Sequence, residues 1–314
     1  MINRRLLRIK VVQVLYAYYQ SKDKSIADAE KELLFSIEKT HELYYYFLQL
    51  IIEITTYAER KIEQNRSKKL PSYEDLNPNT NFIDNKFVNQ LKENETFIRF
   101  TNNKKLSWVN YPELIKNLFN EIRESEYYND FMAQKSPSFE DDKMLWVKLF
   151  KKIITDSEEL GNTLEEISIY WNDDAELILS MVQKTIKKFD ASNGANQELL
   201  PIFKDMEDLD YVKILLRQSI LNAKDYQEDI SNTVQNWDAD RLAFMDMLIM
   251  QVSIAEAVEF TNIPVKVSIN EFIEISKMYS THKSSVFING VLDKIIKQYI
   301  GSGKIKKTGR GLME

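Results

Sequence analysis

Apolar side chains recur at three- and four-residue steps along the first part of the chain. An α-helix makes one turn in about 3.6 residues, so this spacing places the apolar side chains on one helix face. Alternating apolar and polar residues with hairpin turns, the pattern of strands, are hard to find. The sequence therefore predicts an all-α fold. The positions that define the first two predicted helices are Leu7, Val11, Val14, Leu15, Tyr18, Leu33, Ile37, Leu43, Phe47, Leu50 and Ile54.

Glycine and proline indicate where the predicted helices stop. The first glycine is Gly161, and long glycine-free runs favour helices. Pro71 and Pro78 lie in an asparagine-rich stretch that ends the first pair of helices. We predict four segments: N-terminal helices in residues 1–69, a helical insertion in residues 70–200, C-terminal helices in residues 201–300, and a flexible basic tail in residues 301–314.

Two short stretches of the chain are similar to each other. Residues 146–150 (WVKLF) resemble residues 211–215 (YVKIL), and each stretch precedes a tryptophan with an acidic cluster, at Trp171 and at Trp237. Repeats of this kind indicate stacked helical units. The match is short, so a degenerate repeat in the insertion and a coincidence between two amphipathic helices both stay open.

Helix-capping signals mark two later helices. Pro264 ends a predicted helix, and Ser268 with Glu271 three residues later forms a candidate capping box for the next helix. Residues 140–142 (EDD) precede another predicted helix, where their negative charge would complement the helix dipole.

Composition excludes several classes of function. The chain has 314 residues, no cysteine and two histidines, which removes disulfide frameworks, thiolate chemistry and histidine-rich metal sites. The apolar stretch in residues 43–58 is shorter than a membrane span and contains Glu53. No spacing supports a set of nucleophile, base and orienting residue. We expect a cytoplasmic protein that is not an enzyme, holds no cofactor or catalytic metal, and has no membrane partner.

A cluster of arginines at the N-terminus runs against the overall acidic balance. The net charge is −6, which disfavours general coating of nucleic acid. Arg4, Arg5, Arg8 and Lys10 nevertheless place cations on the first turns of the first helix, where guanidinium groups can pair with phosphates. An arginine cluster of this kind is also common at an ordinary solvated helix end, so the pattern alone leaves both interpretations open.

Two separated motifs resemble the NusB family of bacterial transcription antitermination factors. One is residues 264–271 (PVKVSINE) followed by residues 287–293 (FINGVLD), and the other is the arginine-rich residues 4–16 (RRLLRIKVVQVLY). The resemblance covers roughly residues 1–66 and 207–300. It implies a NusB-like helical bundle built from the N- and C-terminal segments, with the insertion between them.

The resemblance also implies function and site residues. Proteins of the family bind boxA-like single-stranded RNA together with the ribosomal protein NusE, and join the transcribing RNA polymerase complex to suppress termination, notably in rRNA transcription. Asp246 matches a commonly acidic position expected to bind the protein partner. Lys283 stands where the family often has an acid, and we expect it to strengthen RNA binding and its salt dependence. The residues that match the RNA-facing segments are Arg4, Arg5, Arg8, Gln13, Tyr16, Lys283, Ser284, Phe287 and Asn289.

A second hypothesis stays open from the sequence. The chain could be a helical protein-interaction scaffold that keeps the bundle without binding RNA, with the acidic helices of the insertion as its working surface. Binding of a boxA-like RNA separates the two hypotheses.

Overall fold

The structure is a computed structural model that describes residues 4–21, 23–234 and 242–312. The side chains of His282 and Lys283 also lie outside the description. In the described ranges the chain forms helices and no strand, so the predicted all-α fold is confirmed. The helices are α1 (Arg4–Gln20), α2 (Ile26–Arg66), α3 (Tyr73–Leu76), α4 (Lys86–Glu93), α5 (Glu95–Lys104), α6 (Pro112–Glu124), α7 (Glu126–Met132), α8 (Phe139–Leu149), α9 (Glu158–Ile167), α10 (Ala175–Lys188), α11 (Met206–Leu221), α12 (Ala223–Val234), α13 (Phe244–Glu259), α14 (Val265–Tyr279) and α15 (His282–Gly301).

Backbone packing divides the chain into two units. The end unit comprises residues 1–37 and 201–314, and the central unit comprises residues 38–200. The sequence placed the first boundary near residue 69, whereas this division falls between Ile37 and Glu38, inside α2. The second boundary of this division falls between Leu200 and Pro201. The end unit is thus built from both ends of the chain.

Helix α13 lies at the centre of the end unit. It packs against α1, α11, α12, α14 and α15. A helix surrounded in this way needs apolar residues on nearly all of its faces. The residues of α13 that are buried in this core include Leu248, Ile249, Met250, Val252, Ile254, Ala255 and Ala257.

The central unit has an aromatic core. Trp108 is buried, and its ring stacks on Tyr46 at a centroid distance of 3.9 Å. Trp146 on α8 is fully buried, and α8 continues into one π-helical turn at Phe150–Ile154. The second copy of the suggested repeat includes Trp237, which lies outside the described residues, so the repeat stays a prediction.

Two predicted helix starts have different outcomes. Helix α14 begins at Val265 with Pro264 as its N-cap, so Ser268 and Glu271 lie inside the helix and form no capping box. Their side chains instead bind residues of other helices. At α8, Ser138 and Asp141 form a capping box, so acidic residues do complement the start of that helix.

The described part of the C-terminal tail packs against the end unit. The amide of Thr308 donates to the carbonyl of Thr261 at 3.0 Å, and Lys307 Nζ donates to the carbonyl of Phe260 at 2.9 Å. Ile305 is buried. The sequence predicted a flexible tail because glycine and lysine are abundant there, whereas Ile305, Lys307 and Thr308 have specific contacts in the structure.

Candidate nucleic-acid interface

Helices α1 and α14 run side by side in the same direction. Arg5 on α1 binds Glu271 on α14, and eight residues later Gln13 on α1 donates to the hydroxyl of Tyr279 on α14 at 2.9 Å. The two contacts follow each other in the same order and at the same residue spacing on both helices, which requires that the helices are parallel. The N-termini of α1 and α14 therefore lie at the same end, and the junction between α14 and α15 lies beside the later turns of α1.

The first two arginines of α1 are held by carboxylates. Arg5 donates two hydrogen bonds of 2.9 Å to Glu271, and this pairing lowers the pKa of the Glu271 carboxyl group. Arg4 donates to Glu207 at 2.8 Å and to Asp208 at 2.9 Å at the start of α11. The Arg5 side chain is still 40% exposed, and the Arg4 side chain 34%. Both guanidinium groups therefore have a fixed orientation and a free edge.

Arg8 has a different environment, because its side chain is only 4% exposed. Its Nε and Nη2 donate to the two oxygens of Glu256 at 2.6 and 3.0 Å. Burial alone would lower the pKa of Arg8, but the negative charge of Glu256 and Glu271 and the neighbouring Tyr211 outweigh burial and raise it. Lys10 is buried as well. Of the four cations that the sequence placed on the first turns of α1, Arg8 and Lys10 are therefore not on the surface.

Glu256 is the centre of a buried polar network. Besides Arg8, it accepts hydrogen bonds from the hydroxyl of Tyr211 on α11 and from Ser268 Oγ on α14, the latter at 2.6 Å. Buried charges are tolerated when they are paired and hydrogen-bonded. The network joins α1, α11, α13 and α14 directly below the exposed arginines.

A surface pocket of about 520 Å³ opens beside these arginines. Four arginines and one carboxylate are among its lining residues, so the pocket wall is cationic. The fourth arginine is Arg310 from the C-terminal tail. The complete lining is Arg4, Arg5, Arg8, Asn262, Ile263, Pro264, Val267, Glu271 and Arg310.

The other predicted RNA-facing residues lie toward the opposite end of α1. Tyr16 is 40% exposed, and its ring centroid is 5.7 Å from that of Phe244. Ser284 lies in the first turn of α15, where its amide donates to the Thr281 side chain at 3.3 Å. Phe287 is half-buried and Asn289 is exposed. Because Gln13 binds Tyr279 just before α15, the structure brings these two segments to the same end of the α1–α14 pair.

Two predicted site residues need separate comment. The side chain of Lys283 lies outside the described residues. Asp246 is only 2% exposed in the first turn of α13, and its Oδ1 has no hydrogen-bond partner among the described residues. In this structure Asp246 is therefore not on the surface where a protein partner would bind.

Sequence reasoning missed the acidic partners of the arginines. Glu207, Asp208, Glu256 and Glu271 are each more than 200 positions from the arginine they bind. No local pattern connects residues so far apart. It also missed Arg310, because a glycine-rich basic tail gives no local indication that it will pack.

Comparison with known proteins identifies the family. The model of the NusB family matches residues 175–297. A protein of Salinibacter ruber named transcription antitermination protein NusB is 33% identical over 138 residues, which are 42% of this chain and 86% of that protein. The chain belongs to the NusB family. The match to the family model includes α11–α14 and most of α15, and begins inside the predicted insertion.

Two further NusB proteins are similar to the chain over part of their length. The protein of Chloroherpeton thalassium is 38% identical over 113 residues, and that of Natranaerobius thermophilus is 38% identical over 88 residues. The matches cover 54% and 63% of those two proteins. No solved structure is a significant match to the chain. Among the described residues, no helix is both long enough and apolar enough to cross a membrane.

Proposed function

We propose that this chain is a transcription antitermination factor that binds boxA-like single-stranded RNA together with the ribosomal protein NusE. It would join the transcribing RNA polymerase complex and suppress termination, notably in rRNA transcription. The observation that carries the proposal is membership of the NusB family, whose similar relatives are named as transcription antitermination proteins. The role is regulatory rather than catalytic, and the place of action is the cytoplasm.

The geometry of the α1–α14 pair supports an RNA-binding surface. Arg4 and Arg5 expose guanidinium edges at one end, and Tyr16 exposes an aromatic ring toward the other. Guanidinium groups bind phosphates, and aromatic rings stack on unpaired bases. Ser284, Phe287 and Asn289 extend the proposed surface along α15, together with Lys283 on the basis of sequence.

Arg8 and Gln13 have supporting roles in this proposal. Arg8 is buried on Glu256, and Gln13 is bonded to Tyr279. Both residues fix the position of α1 against its neighbours. We therefore expect their substitution to act on RNA binding through the geometry of the surface, while Arg4, Arg5 and Tyr16 contact RNA directly.

Filter binding of a boxA-like RNA tests the proposal. The protein is titrated alone and with NusE, over a range of salt concentrations, against a scrambled RNA of equal length. We expect preference for the boxA-like RNA, stronger binding with NusE, and weaker binding for Lys283→Asp. Equal binding of the two RNAs, or none, would contradict the proposal.

The alternative function is a helical interaction scaffold without RNA binding. It is favoured by the carboxylate partners of the α1 arginines and by the charge of the central unit, which has 21 lysine and arginine residues against 28 aspartate and glutamate residues. Its expected result is no boxA binding in any salt, with or without NusE.

The buried Asp246 gives a separate test of the predicted NusE contact. If Asp246→Asn keeps NusE binding unchanged, the predicted partner contact lies elsewhere.

A further inference from the structure

The C-terminal tail is held against the connection between α13 and α14 by several independent contacts. Thr308 binds Thr261 through both its amide, at 3.0 Å, and its hydroxyl, at 3.2 Å. Lys307 Nζ donates to the carbonyl of Phe260 at 2.9 Å. These bonds fix the backbone immediately before Arg310.

The path of the tail backbone requires glycine on both sides of Arg310. Gly309 has a φ of +51°, a left-handed conformation that side chains disfavour. A Cβ atom on Gly311 would lie 1.9 Å from the carbonyl oxygen of Thr261, a distance that no side chain can occupy. The glycines thus permit a tight turn against backbone, and the side chain presented by that turn is Arg310.

Arg310 completes the cationic wall of the pocket at the start of α1 and α14. It lines the same pocket as Arg4, Arg5 and Arg8. Each of the other three has a carboxylate partner, whereas Arg310 is exposed and pairs with no carboxylate of the described residues. Its five N–H donors are therefore available to an incoming anion.

We propose that this pocket binds a phosphate group of the RNA backbone and that Arg310 supplies a direct contact from the tail. This inference rests on the proposed function, since the RNA is the source of the phosphate. Arg4 and Arg5 line the pocket with oriented guanidinium groups from α1, and Arg310 lines it from the tail. The parallel N-termini of α1 and α14 at this end add backbone dipoles of the sign that favours an anion.

The test compares three single variants of the full chain in RNA titrations. Arg310→Ala removes the proposed contact. Lys306→Ala removes an equal charge from an exposed residue of the same tail and is the matched control. Gly311→Ala keeps every charge but places a Cβ against Thr261, so it displaces the tail.

We expect Arg310→Ala to bind boxA-like RNA roughly tenfold more weakly at low salt, as for the loss of one charge-assisted contact. The slope of log K against log salt should become shallower by about 0.7. Lys306→Ala should stay near the parent protein. Gly311→Ala should reproduce the loss. In this variant the amides at positions 308 and 311, which are hydrogen-bonded in the docked tail of the parent protein, should exchange faster with solvent.

Two results separate failure of this inference from failure of the proposed function. If the parent protein binds RNA and Arg310→Ala matches Lys306→Ala, the inference is overturned and the RNA-binding function stands. The same holds if Gly311→Ala displaces the tail without changing RNA affinity. If the parent protein binds no RNA, the proposed function fails, and the inference fails with it.

Discussion

Arg8 illustrates how the environment of a residue decides its role. From sequence it is one of several arginines on a helix that matches an RNA-facing segment. In the structure its guanidinium group is buried on Glu256, and Tyr211 and Ser268 share the same carboxylate. Arg5, one turn earlier, remains accessible on Glu271. The two arginines should therefore respond very differently to substitution.

Substitution of Arg8 should destabilise the end unit strongly. Arg8→Met leaves Glu256 as an uncompensated buried charge, which typically costs about 3–5 kcal/mol. Arg5→Met removes a half-exposed ion pair and should cost about 1 kcal/mol or less. Urea unfolding of both variants measures the difference. Equal losses would show that the Glu256 network does not stabilise the fold as the structure indicates.

Lys307 should give stability an unusual dependence on alkaline pH. Burial lowers the pKa of Lys307 to about 8, against an ordinary value of 10.5. Below pH 8 the folded and unfolded states both bind the proton, and the folded state bears the cost of burying the charge. Between these two pKa values only the unfolded state retains the proton, so the free energy of unfolding rises with pH.

The increase should be modest, below about 1 kcal/mol, because Lys307 is only partly buried and solvent screens its charge. Urea unfolding at about pH 7 and about pH 10 measures it in the parent protein and in Lys307→Met. The variant should lack this contribution. An identical pH profile in both proteins would show that the amine is not desolvated.

At the scale of helices, the pattern of residues predicts the fold class and the first two helices, but it does not predict which helix caps form. Apolar spacing predicted α1 and α2 well, since that spacing is a local property. The Ser268–Glu271 pattern predicted a capping box that the structure lacks, because both side chains bind distant partners, Glu256 and Arg5. Local patterns cannot weigh a cap against a partner that lies elsewhere in the chain.

The capping box of α8 gives an element-scale prediction. Ser138 accepts a hydrogen bond from the amide of Asp141, and Asp141 accepts one from the amide of Ser138. Ser138→Ala should therefore lower stability by about 1 kcal/mol. Ser136→Ala, in the same exposed loop, is the control and should change it by less than about 0.5 kcal/mol. Unfolding of the full chain, followed by tryptophan fluorescence, measures both.

At the scale of the whole molecule, the positive charges matter through their position and not through their number. The chain carries a net charge of −6, yet cations concentrate around one pocket in the end unit. The sequence predicted the α1 part of this cluster but not Arg310, whose position depends on the tail packing against Thr261. It also could not distinguish exposed from buried arginines, since burial is set by residues from the other end of the chain.

Salt dependence should report the small number of phosphate contacts. Arg4, Arg5, Arg310 and, from sequence, Lys283 give about four contacts, which predicts a slope of log K against log salt of about −3 for single-stranded RNA. Affinity should then fall roughly fiftyfold between about 50 and 200 mM salt. Filter binding across this range measures the slope. A value near zero would mean that these cations do not face phosphate.

The ion pair between Arg8 and Glu256 joins residues separated by 248 positions, and this separation matters while the ribosome is still working. At typical synthesis rates, roughly 10–50 seconds pass after Arg8 is made before its carboxylate exists. For most of that interval, until residue 206 is made, the apolar face of α1 has none of its final neighbours on α11, α13 and α14. Helix α1 is translated long before α11, α13 and α14, so its apolar face stays exposed on the nascent chain until they are made, and a chaperone can bind it during this time.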